Sequence, residues 1–91
     1  MEILRRKYYP KELYRVLKAL ESGSLKTTEL PSKADVSRQY IFSILDILWA
    51  AGLISRGESE RDKRVVNVTI TDKGKRLLAA LESLKEIFQE K

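Results

Sequence analysis

The apolar positions change period along the chain, and those changes divide it into elements. Leu13, Val16, Leu17 and Leu20 recur at i, i+3, i+4 and i+7, the spacing of a helix with one buried stripe. Pro10 suits an early helical position, where its missing N–H costs no hydrogen bond, and Gly23 suits a C-terminal stop. The pattern predicts a first helix over 10–22. A second, short helix is predicted over 27–35, with Thr27 or Thr28 as its cap, Pro31 in its first turn, and Leu30 and Ala34 facing inward. Asp35 and Val36 then turn the chain. Ser37 caps a third helix over 37–51, which Gly52 ends.

The period shortens after Gly52. Leu53 to Arg56 reads as a short strand, Gly57 to Lys63 as a charged loop, and Arg64 to Ile70, rich in Val and Thr, as a second strand. These form a hairpin over 53–70. Thr71 caps a last helix over 71–89. Lys73 and Lys75 in its first turns oppose the helix dipole, so their presence calls for another partner, such as a phosphate. The fold class expected is α+β, mainly α, in a single domain. At 91 residues there is no room for a second.

Composition narrows the function classes. Eighteen Lys and Arg against thirteen Asp and Glu give a formal charge of +5, which suits a polyanionic partner, although a merely soluble basic surface would read the same way. There is no Cys and no His, which removes disulfides, thiol chemistry and zinc fingers. No apolar run approaches a membrane span or a signal peptide, and a cytoplasmic location is expected. Abundant charge with few Asn and Gln leans toward a thermophile. No phosphate-cradling glycine loop or recognisable carboxylate pair is present, so no enzyme and no cofactor or metal is expected.

Three segments carry a resemblance. They are Thr27-Thr28-Glu29-Leu30 followed by Val36-Ser37-Arg38-Gln39-Tyr40-Ile41; Leu48-Trp49-Ala50-Ala51-Gly52-Leu53-Ile54; and the charged run 60–64 leading to Ile70-Thr71-Asp72-Lys73-Gly74. In this order they resemble the winged helix-turn-helix of MarR-type regulators and related archaeal winged-helix proteins. The resemblance covers roughly residues 10–80. It implies a two-stranded wing, a C-terminal dimerisation helix and double-stranded DNA as partner. Two departures stand out. Asp35 replaces the usual turn glycine, though Asp tolerates a left-handed backbone. Members of that family are longer, with extra terminal helices that form their dimer interface and ligand pocket, so a small-molecule effector is not expected here.

The resemblance places the third helix in the major groove. On a helical wheel Ile41, Leu45 and Leu48 point inward, and Gln39, Ser43 and Asp46 outward, with Arg38 and Tyr40 near the exposed end. Arg38 suits guanine and Gln39 adenine; an ordinary cap and first turn is the alternative for Ser37 to Tyr40. Phe42, Ile44, Ile47 and Trp49 make this helix unusually apolar. Trp49 and Ile44 are expected to pack on the terminal helices, with a protein interface as the alternative. Asp46 on the outward face would repel phosphate. Lys26, Thr27 and Thr28 are candidates for phosphate at the entry to the second helix. Arg61, Lys63 and Arg64 at the wing tip would reach a minor groove or its phosphates, or else form a solvated loop with Glu58, Glu60 and Asp62. Arg5, Arg6 and Lys7 with Tyr8 and Tyr9 read either as a DNA-contacting arm or as a frayed end.

Leu77, Leu81, Leu84 and Phe88 are spaced by four, three and four, a heptad-like seam. Leu81, Leu84, Ile87 and Phe88 are expected at a homodimer interface, with Ile3 and Leu4 as further candidates. The function expected is sequence-specific double-stranded DNA binding by a transcriptional regulator. Sequence-independent chromosome packaging and a protein-interaction module are the alternatives.

Overall fold

In the computed structural model, residues 10–58 and 66–89 are described. Helix α1 (Pro10–Leu20) leads through strand β1 (Leu25–Lys26) to the short helix α2 (Leu30–Ala34) and then to helix α3 (Arg38–Ala50). Strands β2 (Ile54–Glu58) and β3 (Val66–Ile70) follow, and α4 (Asp72–Gln89) closes the chain. The candidate arm 1–9 and the wing-tip cations Arg61, Lys63 and Arg64 lie outside the described residues.

The core forms where the helical stripes meet the sheet. Val16, Leu17 and Leu20 of α1, Ile41, Ile44, Leu45 and Leu48 of α3, and Val68 and Ile70 of β3 are all buried, with Leu30, Val36 and Leu78 beside them. The described residues bury no polar or charged side chain, so burial in this core is driven by removing apolar surface from water. The inward set of α3 read from the sequence is confirmed, and Ile44 joins it. Trp49 does not pack on the terminal helices: it is 54% exposed.

The sheet has three strands, in the order β1-β3-β2, all antiparallel. Leu25 pairs with Val68 and Ile54 with Ile70. A wing of two strands was expected; residues 25–26 add a third. The second helix is correspondingly shorter than 27–35. The Glu29 N–H donates to the Lys26 carbonyl at 2.9 Å, and the Glu29 carboxylate accepts from the Lys26 N–H at 3.0 Å. Both backbone groups of Lys26 are thus engaged in a closed turn, and helical bonding begins only with the Lys33 N–H to the Glu29 carbonyl, 3.0 Å. Neither Thr27 nor Thr28 is the cap: that position is Glu29, with no side-chain cap bond, and Pro31 sits in the first turn as expected.

Three local devices set the direction of α3. Asp35 ends α2 in the left-handed region, at φ 54° and ψ 50°, and its carbonyl accepts from Arg15 Nη1 at 3.2 Å. Ser37 caps α3 by accepting from the Gln39 N–H at 3.2 Å. At the other end Gly52, at φ 75°, reverses the chain. The Gly52 N–H then donates to Trp49 and the Leu53 N–H to Leu48, at 3.0 and 2.8 Å. This pair of bonds satisfies carbonyls that a helix end otherwise leaves free.

Helix α4 is stitched to that same end. The Thr71 hydroxyl donates to the Gly52 carbonyl at 2.7 Å and accepts from the Gly74 N–H at 3.1 Å, so it caps α4 as the sequence predicts. Lys73 Nζ donates to the Ala51 carbonyl at 2.6 Å. The unfavourable dipole position of Lys73 therefore has an internal explanation, at the negative end of α3, in place of the phosphate suggested by the sequence. Gly74 is buried, and a Cβ there would overlap the Leu53 carbonyl and come within 2.7 Å of Ile70 Cγ1. Beyond Leu78, the helix carries Leu84, Ile87 and Phe88 into solvent.

Candidate nucleic-acid interface

The solvent face of α3 follows from its core face. With Ile41, Ile44, Leu45 and Leu48 buried, the 3.6-residue period runs Arg38, Trp49, Phe42 and Asp46 round one side of the helix, from the edge of the buried face outward. All four are exposed, as is Gln39. Ser43, expected outward, is half-buried. Tyr40 is half-buried and packs against the core, because it stands four residues before Ile44 on the inward side. The residue that sequence reasoning missed is Phe42, 60% exposed and midway between Arg38 and Asp46. Its spacing of four from each was the available signal; its hydrophobicity argued the other way.

Thr27, Thr28 and Arg38 are brought together. With Pro31, Ile41 and Phe42 they line a shallow hollow of about 180 Å³ between the turn before α2 and the start of α3. Lys26 lies next to this turn and is exposed. Ser37 is occupied as a cap acceptor and sits at the same end of α3.

Asp46 does not present a bare negative charge. Arg56 Nη1 on β2 donates to Asp46 Oδ1 at 3.1 Å, and the same guanidinium lies 4.7 Å from the centre of the Trp49 ring. A cation from the wing strand thus neutralises the acid and covers part of the indole, which accounts for two residues that looked out of place on this face. Arg56 was not singled out by the sequence; only the antiparallel sheet brings it beside α3.

A second hollow, about 350 Å³, lies between α1 and α4 and is lined by Lys11, Tyr14, Arg15, Leu81, Leu84, Lys85 and Phe88. Lys85 Nζ stands 5.3 Å from the centre of the Tyr14 ring. Nearby, Lys18 of α1 pairs with Glu21 in the turn after that helix at 2.9 Å and with Glu82 of α4 at 3.2 Å, the second contact joining the two helices. The hydrogen bonds that Lys18 donates to Glu21 and then to Glu82 raise its pKa above the ordinary lysine value. Of the four residues expected at a dimer interface, Leu81 is half-buried against its own core, whereas Leu84, Ile87 and Phe88 are exposed. Among the described residues no helix is long and apolar enough to cross a membrane.

Comparison with known proteins places this geometry. The model of the MarR family matches residues 12–66. Over 65 residues the chain is 29% identical to the HTH-type transcriptional repressor MdtR of Bacillus subtilis (strain 168), a match covering 71% of this chain and 42% of that protein. The fold is similar to the transcriptional regulator BldR from Sulfolobus solfataricus, with 28% identity and a TM-score of 0.78 over 94% of this chain and 63% of that one. It is also similar to NadR in complex with 4-hydroxyphenylacetate, with 25% identity and a TM-score of 0.71 over 96% of this chain and 68% of that one. The match to MdtR spans about two fifths of the length of that curated relative, 42%. Because one of these neighbours holds a small aromatic acid, the expectation that no effector acts here finds no support.

Proposed function

The chain belongs to the MarR family, and from that premise we propose that it is a transcriptional regulator that binds double-stranded DNA sequence-specifically, as a homodimer. The observation that carries this reading is the division of α3 into a wholly buried face and an exposed face bearing Arg38, Gln39, Phe42 and Asp46. A helix held at both ends with one free face can enter a major groove, where Arg suits guanine and Gln suits adenine. Lys26, Thr27 and Thr28 lie where the flanking phosphates would pass. Ser37 and Tyr40 contribute at the start of the helix, with Ser43 after them. Arg61, Lys63 and Arg64 would extend the contact along the minor groove.

The exposed Leu84, Ile87 and Phe88, with Leu81 at their base, supply the dimer seam, and a two-fold dimer would set two α3 helices about 34–36 Å apart, one DNA turn. The test is duplex binding by fluorescence anisotropy, with a selected-site duplex and a mixed pool at several salt concentrations. Preference of about 10³ or more for the selected site supports a sequence-reading regulator. Tight, indiscriminate binding with a steep salt slope would replace it with chromosome packaging. No binding at low salt would leave a protein-interaction module.

The hollow between α1 and α4 favours a second reading of the same protein. Lys11, Arg15 and Lys85 beside Tyr14 and Phe88 offer positive charge and aromatic walls, which suit a small aromatic carboxylate. An effector of that class is part of the proposal. Calorimetric titration with 4-hydroxyphenylacetate and related aromatic acids, in the absence and presence of DNA, tests it.

A further inference from the structure

Phe42 is a large apolar ring that the fold leaves 60% exposed at the centre of the face assigned to DNA. It is not part of the core cluster of the described residues, whereas its neighbours Ile41 and Leu45 are both buried in it. Such a side chain on a basic domain needs a partner that is apolar at one spot within a polyanion. The major groove contains one such group, the C5 methyl of thymine.

The surroundings fit that group. Phe42 forms one side of the hollow of about 180 Å³, whose other walls are Thr27, Thr28, Pro31, Ile41 and Arg38. The walls are largely hydrocarbon, including the ring, the proline and the threonine methyls, and the one charge is the cation of Arg38. The net charge of +5 favours a polyanion as the partner, and DNA presents phosphates and guanine edges to that guanidinium. Arg38 and Phe42 are one helical turn apart, about 5–6 Å between their Cβ atoms. Stacked bases are separated by about 3.4 Å, so the two side chains address positions one or two base pairs apart.

Resting on the DNA-binding reading above, we infer that Phe42 is a specificity-determining residue that reads a thymine methyl group, next to the base or phosphate held by Arg38. The hollow receives the methyl, and the ring covers it from water. Cytosine at that position lacks the methyl and leaves the ring exposed. The recognition is therefore apolar, and it adds sequence preference without adding to the salt dependence.

The test uses the full chain. A preferred duplex is selected from a random pool, and each thymine in turn is replaced by deoxyuridine, which removes only the methyl. Affinities are read by anisotropy at fixed salt. In the wild-type protein at least one thymine per half-site should lose roughly three- to five-fold in affinity as deoxyuridine, the effect of burying one methyl group. Phe42→Ala should bind the thymine and deoxyuridine duplexes equally, with an unchanged salt slope. Phe42→Leu, which keeps an apolar side chain, should retain part of the discrimination. Wild-type indifference to deoxyuridine at every position overturns the inference while leaving DNA reading intact, as does Phe42→Ala that still discriminates. Failure to select any preferred duplex overturns both.

Discussion

Arg56 of β2 donates a hydrogen bond to Asp46 of α3 at 3.1 Å, and so ties the β2 strand to that helix. The pair is unequally exposed: the Asp46 side chain is 69% accessible and that of Arg56 only 27%. Its worth to folding is accordingly small, about 0.5 kcal/mol for a surface pair. Its larger consequence is electrostatic, because it cancels the one acid on the exposed face of α3.

That relationship predicts a reversal. Arg56→Ala removes a cation and leaves Asp46 facing the phosphates, so DNA affinity should fall by about five-fold, the effect of a screened unit charge at close range. Adding Asp46→Ala should recover most of the loss. Anisotropy on the two single variants and the double variant measures the coupling. Equal, additive losses in both single variants would show that the pair does not act as a unit.

Gly74 is where α4 meets the strand end closest. A Cβ at this position overlaps the Leu53 carbonyl, which is backbone and cannot swing aside. Gly74→Ala should destabilise the domain by about 1–3 kcal/mol, the range for forced overpacking. Gly57→Ala is the matched control, since nothing lies within 4 Å of the added carbon. Urea denaturation of the two variants separates a packing effect from a general cost of replacing glycine.

The exposed end of α4 predicts an assembly. Leu84 and Phe88 are 50% and 80% accessible in the single chain. Replacing both with Glu should give a folded monomer in sedimentation velocity, with unchanged helical content. DNA affinity should drop by about a hundred-fold or more as the second half-site is lost. A dimer that survives these substitutions would place the interface elsewhere.

The wing cations predict a salt effect. Each phosphate contact contributes about 0.9 to the log–log salt slope on duplex DNA. Replacing Arg61, Lys63 and Arg64 with Ala should therefore weaken binding and reduce the slope by about two to three. An unchanged slope would remove the wing tip from the interface.

Much of the framework was legible because it depends on local chemistry. The stripe Val16, Leu17 and Leu20, the inward set Ile41, Leu45 and Leu48, the Ser37 and Thr71 caps and the Gly52 stop all depend on neighbours within a turn or two. Asp35 in a left-handed turn was legible for the same reason. The start of the second helix was not. Glu29 closes a turn on Lys26 while that residue pairs with Asn67, forty-one positions later, and no local pattern reports such pairing.

The sequence by itself determined the order of the helices and of the β2–β3 hairpin, the apolar faces of α1 and α3, and the Ser37 and Thr71 caps, since periodicity and capping are properties of a single segment, but not β1 or the start of α2. Only the tertiary structure decided what the odd residues are for. Lys73 answers the end of α3 and Arg56 answers Asp46 and Trp49, each across a gap that the chain closes through the sheet. Phe42 is the converse case. A helical wheel assigns its angle, but only packing shows on which side the core ends, and so leaves that ring facing solvent.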